Sequence, residues 1–345
     1  MLMAMLYGAK DLRIEQGEEP PLTAGKVKLR FRAGGICGSD LSYYQKGRVG
    51  DFNVLQPLCL GHEVAGEVLE VGTGVSGLSK GDRVAVNPNQ PCRVCRTCKA
   101  GKGNLCLAMN FFGSAAVFPH IQGVFKELMV VNAEQCVKVP QSCDFRVAAM
   151  AEPLAVSLHA VRRAGSLVGK RVLVTGAGPI GSLIILAAKR AGAAEITVTD
   201  VADAALKRVE KLGIDNAVNA AKDSSRIEAW YANKGSFDVS FECSGVASAM
   251  NTAICATASG GAVVQVGMIA SSDAPIMVNR FVSREVDLLG AFRFDQEYAQ
   301  AVAELAYERI DVSAVMTHTY ALNDAVAAIE MAADRGQAMK VHLTL

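Results

Sequence analysis

Two sets of residues could hold metal. Cys92, Cys95, Cys98 and Cys106 fall within fifteen residues, CRVCRTCKAGKGNLC. CxxCxxC spacing with a fourth cysteine after a loop matches a closed tetrahedral zinc site. Such a site has no open position and holds a loop rather than reacting. Four thiolates on Zn²⁺ leave a charge that Arg93, Arg96, Lys99 and Lys102 can soften. An iron–sulfur cluster, a redox dithiol and a zinc ribbon for nucleic acid are the competing readings, and the last would need a second basic surface. The second set is Cys37 in GGICGSD, His62 and Glu63 in LGHE, and Glu152 in AEPL. A thiolate, an imidazole and carboxylates suit zinc with a position left open for water or substrate. Each alone has a plainer reading, as a small buried Cys or a satisfied core His. His120, His159, His318 and His342 have no comparable setting and read as structural.

A third constellation is a glycine turn. Gly176, Gly178 and Gly181 form GxGxxG in VLVTGAGPIGSLII, between a Val-rich stretch and an apolar helical one. The first Gly permits a tight turn, the second lets a pyrophosphate approach the helix N-terminus, and the third allows close helix–strand packing. Asp200 ends the next predicted strand, where a carboxylate can accept from the adenosine ribose hydroxyls and would repel a 2′-phosphate. The expected cofactor is therefore NAD rather than NADP. The alternative for Asp200 is a solvated strand-end residue.

Positioning these groups requires two architectures. Residues 1 to about 150 contain short alternating runs such as KVKLRFRAGGI and EVAGEVLEVGTGV, and read as an all-β, barrel-like domain. From VAAMAEPLAVSLHAVRRAG onward the pattern is helix alternating with strand, through EITVTD, FDVSFECSG, GAVVQVGM and VDLLGAF, which implies a doubly wound parallel sheet. The 345 residues suit two domains, and with 51% hydrophobic residues a sizeable core can be buried. The net charge of +1 argues against nucleic acid or an anionic membrane as the main partner. No apolar run approaches the roughly 18 residues that suggest a membrane span. The start, MLMAMLYGAKDLRIEQ, reads as a strand rather than a signal peptide. A cytoplasmic location is expected, where clustered cysteines stay reduced and bind metal.

Taken together, GGICGSDLSYYQ, LGHEVAGEV, the four-cysteine lobe, AEPLAV and GAGPIG resemble the zinc-dependent medium-chain alcohol and polyol dehydrogenases over essentially the whole chain. Glu152, where a cysteine could stand, points to the sorbitol dehydrogenase branch. YYQKGRVGDF, FFGSAAVFPH, VQVGM and FRF resemble the members of that branch that act on L-idonate. The resemblance implies an α/β fold: a GroES-like β-rich catalytic domain, residues 1–148 completed by 290–345, and an NAD-binding Rossmann domain, 149–289. It implies two Zn²⁺ per chain, a catalytic one on Cys37, His62 and Glu63 and a structural one on the cysteine lobe. Glu152 either ligates the catalytic zinc or hydrogen-bonds its water. Zinc then acts as Lewis acid on the substrate hydroxyl, and Ser39 accepts its proton. Gly176, Gly178, Pro179, Ile180, Gly181, Asp200, Val266, Gly267, Met268, Phe292 and Arg293 are expected to line the cofactor. A homo-oligomer is implied, a tetramer rather than a dimer.

Two departures stand out. Many relatives carry His five residues after the zinc cysteine, whereas this chain has Ser42, which puts the proton exit in doubt. Some carry Arg where this chain has Ala205, beside the adenine ribose. The expected reaction is oxidation of L-idonate at C5 to 5-keto-D-gluconate, with a neutral polyol such as sorbitol or xylitol as the alternative substrate. A carboxylate needs a cation at the far end of the site. Arg48 and Arg293 are the candidates beside Lys46, with Tyr43 and Phe112 as apolar walls. A nucleotide-binding protein without catalysis, or a structural zinc protein, would leave the second metal set or the glycine turn unexplained.

Overall fold

The computed structural model describes residues 1–269 and 273–345. Two main sheets organise it. A seven-stranded sheet runs Cys136–Val139, Arg83–Val86, Glu63–Val71, Lys26–Gly35, Lys340–Thr344, Met316–Ala321, with Leu128–Asn132 also paired to Lys26–Gly35. The last two strands come from the C-terminus. Lys340–Thr344 joins Lys26–Gly35 antiparallel, with His342 opposite Gly35. The start of the chain forms a strand, Leu2–Gly8, paired in a hairpin with Asp11–Gln16. Val27, Leu29, Phe31, Val64, Val84, Val86 and Val341 fill the core of this half, as the alternating runs require of a half-buried sheet.

The second sheet has six parallel strands, Asn216–Asn219, Glu195–Asp200, Arg171–Thr175, Phe237–Glu242, Thr257–Gln265 and Asp287–Gly290, in chain order 3-2-1-4-5-6. That order places a topological switch between Arg171–Thr175 and Phe237–Glu242, where such sheets bind dinucleotides. Val172, Val174, Val198, Val239, Phe241 and Val264 are fully buried in it, the near-continuous apolar content of strands covered on both faces. The fold is thus α/β, with a GroES-like β-rich part and a Rossmann-like part. The Ala-rich stretch forms two helices, Phe145–Ala149 and Ala151–Ala164. The second packs against Pro179–Arg190 and Glu297–Ala306. Among the described residues no helix is long and apolar enough to cross a membrane.

Candidate active site

The Cys37, His62 and Glu63 ligand atoms all lie within 4.8 Å of one another. The backbone brings them there from separate elements. Cys37 caps the helix Gly38–Lys46, and its N–H donates to Asp40 Oδ2 at 2.9 Å. Asp40 Oδ1 accepts from Gly61 N at 3.0 Å, tying the helix start to the turn before His62. Glu63 opens the strand Glu63–Val71. Asp40, fully buried, also stands 3.9 Å from His62 Nδ1. Sequence reading passed over Asp40, although a carboxylate at the third helical position after Cys37 is a capping-box signal.

The charge balance of the cluster fits a cation. Burial lowers the His62 pKa, but Cys37, Asp40 and Glu152 more than offset this and hold it up at about 10. These neighbours place negative charge around one buried imidazole, which a divalent ion would balance. His62 Nδ1 is buried without a hydrogen-bond partner. One permanent cation is already present. Lys340 Nζ donates to both Glu63 oxygens, at 2.6 and 2.8 Å, and to Ile36 O at 3.1 Å, with both side chains almost wholly buried. A carboxylate oxygen has two lone pairs, so this pairing leaves Glu63 able to face a metal. Nothing in AMKVHLTL singled out Lys340, which lies 277 residues from its partner.

Glu152 sits in the first turn of Ala151–Ala164, buried, and outside the three-donor set. Burial and then Glu63 raise its pKa to about 7, against His62, Lys340 and Arg293. Ser39 lies half-buried in the first turn of the helix that Cys37 caps. Ser42 Oγ donates back to Gly38 O at 3.0 Å, as helical serines do.

The aromatic wall differs from expectation. Phe112 is packed in the β-rich core. Its neighbour Phe111 faces the site, with its ring 5.2 Å from the His62 ring and the Arg293 guanidinium carbon 4.3 Å above it. Phe111 ends the strand Asn110–Phe111 and Phe112 lies in the turn that follows, so the two rings take different directions, and the sequence alone does not say which lines the site. Tyr43 is buried in the same core, and its hydroxyl oxygen accepts from Ala115 N at 2.9 Å. Arg293 is half-buried and interacts electrostatically with Glu152 and Tyr43. Arg48, by contrast, is exposed on the short hairpin formed by Arg48–Val49 and Phe52–Asn53, and Lys46 is exposed at the end of its helix.

Cys92, Cys95, Cys98 and Cys106 likewise have sulfurs within 4.8 Å of one another. Cys95 Sγ and Cys106 Sγ are 4.0 Å apart, far beyond disulfide length, and all four are free. Backbone N–H groups of Cys92 and Ala108 donate to Cys106 Sγ. Hydrogen bonds from Thr97 and from the Leu107 and Cys98 backbones hold Cys95 down at about 5. Desolvation and the neighbouring thiols push Cys98 up to about 12. Four sulfurs, several already solvated by N–H donors, fit a closed metal site.

At the glycine turn, Gly176 has φ 99°, a conformation that favours glycine. A Cβ on Gly181 would fall 1.9 Å from Gly176 O, so only glycine permits this helix–turn approach. Gly178 caps Pro179–Arg190, with Pro179 at the first helical position and Ile180 following. A Cβ on Gly178 would meet nothing within 4 Å, which leaves an open approach to the helix N-terminus. Asp200 is anchored to this turn: Oδ2 accepts from Ala177 N at 2.7 Å and Oδ1 from Ala202 N at 2.9 Å. Each oxygen keeps capacity for a ribose hydroxyl. Val266, Gly267 and Met268 follow the strand Thr257–Gln265 at the same edge of the sheet; Met268 and Phe292 are exposed.

Comparison with known proteins agrees with this geometry. Residues 23–141 match the alcohol dehydrogenase GroES-like domain, and residues 179–307 match the zinc-binding dehydrogenase domain. The chain is 45% identical over 316 residues to L-idonate 5-dehydrogenase (NAD(P)(+)) of Escherichia coli K12, covering 91% of this chain and 90% of that one. It is 38% identical to sorbitol dehydrogenase of Mus musculus, covering 99% and 94%. The crystal structure of L-idonate 5-dehydrogenase from Escherichia coli K-12 superposes with a TM-score of 0.95 at 41% identity, covering 100% of this chain and 98% of that one.

Proposed function

Because the chain belongs to the zinc-dependent medium-chain alcohol and polyol dehydrogenases, an oxidoreductase family, we propose that it oxidises L-idonate at C5 to 5-keto-D-gluconate, reversibly, with NAD as hydride acceptor. The observation that carries the choice of a sugar acid is Arg293, a cation stacked on Phe111 beside His62. A planar guanidinium can grip a carboxylate with two hydrogen bonds. The likeness to the Escherichia coli L-idonate 5-dehydrogenase supports the same substrate.

Zinc held by Cys37, His62 and Glu63 would supply Lewis-acid chemistry at the substrate hydroxyl, and the nicotinamide would take the hydride. The chain's own groups do the rest. Asp40 ties the helix start to the turn before His62 and sets a negative charge 3.9 Å from its ring, and Lys340 fixes the Glu63 carboxylate. Ser39 Oγ would accept the substrate hydroxyl proton while handing its own on toward the cofactor ribose. With Ser42 turned back to Gly38, water carries the proton onward. Glu152, outside the three-donor set, orients the reacting hydroxyl rather than ligating. Arg293 holds the far end of the substrate, and Phe111 excludes water from its flank. Tyr43 and Phe112 support this wall from the core, and Arg48 is left as a solvated charge.

Gly176, Gly178, Pro179, Ile180 and Gly181 receive the pyrophosphate, Asp200 the adenosine ribose, and Val266 to Met268 with Phe292 the nicotinamide end. Asp200→Ser should narrow the NAD preference, by weakening NAD and relieving repulsion of a 2′-phosphate. Higher kcat/KM with NADP than with NAD in the wild type would contradict that role. The domain division at 148/149 and 289/290, two zincs per chain, a homotetramer and a cytoplasmic location belong to the same proposal. Ten free cysteines support a reducing compartment, and sheet membership of Lys340–Thr344 supports the C-terminal return.

A neutral polyol such as sorbitol or xylitol is the second reading. It is favoured by the electrostatic pairing of Arg293 with Glu152, which would satisfy the guanidinium without a substrate carboxylate. NADH formation on L-idonate, sorbitol and xylitol separates the two. The highest kcat/KM is expected on L-idonate. Robust turnover of either polyol with no reaction on L-idonate would overturn the acid reading.

A further inference from the structure

Arg293 has φ 53°, a left-handed conformation that side chains other than Gly, Asn and Asp seldom adopt. Its guanidinium can face the site only while the backbone around it is held that way. The carbonyls on either side are both gripped. Asn104 Nδ2 donates to Phe292 O at 2.9 Å, and Asn89 Nδ2 donates to Phe294 O at 3.2 Å. Both asparagines are buried, at 8% exposure.

The third grip is the Phe111 ring beneath the guanidinium. Asn89 and Phe111 face each other across the two-stranded ribbon of Asn89–Gln90 and Asn110–Phe111. The Phe292 ring also lies 5.0 Å from the guanidinium, but both amide donors and the Phe111 ring come from one segment, residues 89–111, and that segment contains Cys92, Cys95, Cys98 and Cys106. The approach is close: a Cβ on Gly103 would fall 2.6 Å from Asp295 Oδ1. Asn104 follows at once, in the short turn Gly103–Leu105 that leads into Cys106.

We infer that Asn89 and Asn104 are positioning residues for Arg293, so that the cysteine lobe sets selectivity for anionic substrates as well as stability. The inference rests on the reading of Arg293 as the partner of the substrate carboxylate. Loss of either amide donor frees one flank of residue 293, which relaxes from its left-handed conformation and carries the guanidinium off the Phe111 face. A carboxylate substrate loses its anchor, whereas a neutral polyol loses little.

The test measures kcat and KM for L-idonate, and KM or the inhibition constant for sorbitol, in the zinc-loaded full chain. The variants are Arg293→Ala, Asn104→Ala, Asn104→Asp and Asn89→Ala. Zinc content and thermal midpoint are recorded for each. Asn104→Asp keeps the size of the side chain and removes the donor. Each asparagine variant should raise KM for L-idonate about tenfold, the scale of one hydrogen bond, with kcat and the sorbitol constant within about twofold. Arg293→Ala should move the same constants in the same direction and further. If Arg293→Ala shifts the idonate-to-sorbitol ratio and no asparagine variant does, the positioning inference fails by itself. Parallel changes on both substrates would also overturn it, because a purely structural role moves them together. If Arg293→Ala leaves the ratio unchanged, the substrate reading fails and the inference with it.

Discussion

The chain gathers metal-ligating side chains twice, by opposite means. The cysteine lobe uses four like donors within fifteen residues, on a short helix and turns, all half-exposed. The Cys37, His62 and Glu63 cluster uses three unlike donors, two of them buried, assembled from a helix cap and a sheet strand and balanced by Asp40 and Lys340. The lobe is made by local spacing, with all four donors between residues 92 and 106. The counterion of the cluster, Lys340, arrives only when the C-terminal strand joins the sheet, and a further carboxylate, Glu152, lies outside the three-donor set. Closure suits holding a structure, and an open side suits reaction.

The largest effect that distinguishes them should come from the cysteines themselves. Cys37→Ser is expected to abolish turnover while leaving a folded protein that still binds NADH, measured by fluorescence. Cys98→Ser should instead lower the unfolding midpoint, with activity falling as the protein unfolds. If the two variants exchange behaviour, the assignment of roles is reversed.

Ser39→Ala probes the open side alone. A positioned proton-transfer group contributes roughly 10²–10⁴-fold, so turnover should drop by that range with zinc content unchanged. Equal turnover of wild type and variant at every pH would remove Ser39 from the mechanism.

Lys340→Met tests whether the cluster depends on its distant counterion. Removing one partner of a buried pair costs about 3–5 kcal/mol, and denaturant unfolding of the metal-free protein should show a loss of that order. A loss below about 1 kcal/mol would mean that Glu63 does not need the lysine.

A separate, pH-dependent effect concerns His342, two residues further along the same strand, whose ring nitrogens have no hydrogen-bond partner among the described residues. Burial, then Lys340 and Arg146, push its pKa down to about 3 from 6.5. The unfolded chain therefore binds a proton between those values that the folded chain does not. Stability is fully present above pH 6.5 and falls as pH drops toward 3, by at most about 1.4 kcal/mol per pH unit. His342→Leu should flatten that limb in a series of unfolding curves. An unchanged slope would show that the ring protonates in place.

Short-range features were legible and long-range ones were not. GxGxxG, the cysteine spacing and LGHE each place their residues within one turn or loop, so their arrangement followed from local geometry. Asp200 could be located because strand ends of a parallel sheet share one edge. Lys340 could not, because its pairing with Glu63 depends on which strand the C-terminus joins. Phe111 and Phe112 could not be told apart, since only the fold ends the strand between them and buries the second ring. Arg48 and Arg293 had equal standing as cations; only the fold left one on an exposed hairpin and set the other on an aromatic ring. Asn89 and Asn104 carried no motif at all, and their part appears only in the carbonyls they hold.

Stepwise removal of zinc by a chelator, with bound metal, turnover and thermal midpoint followed on the same samples, tests the division between the two sites most directly. Two zincs per chain are expected at the start. Loss of the zinc at Cys37, His62 and Glu63 should end turnover with the midpoint little changed, and loss of the zinc at the cysteine lobe should lower the midpoint. Full activity and an unchanged midpoint with one zinc per chain, or a midpoint that collapses while turnover per folded chain persists as the first zinc leaves, would contradict the account.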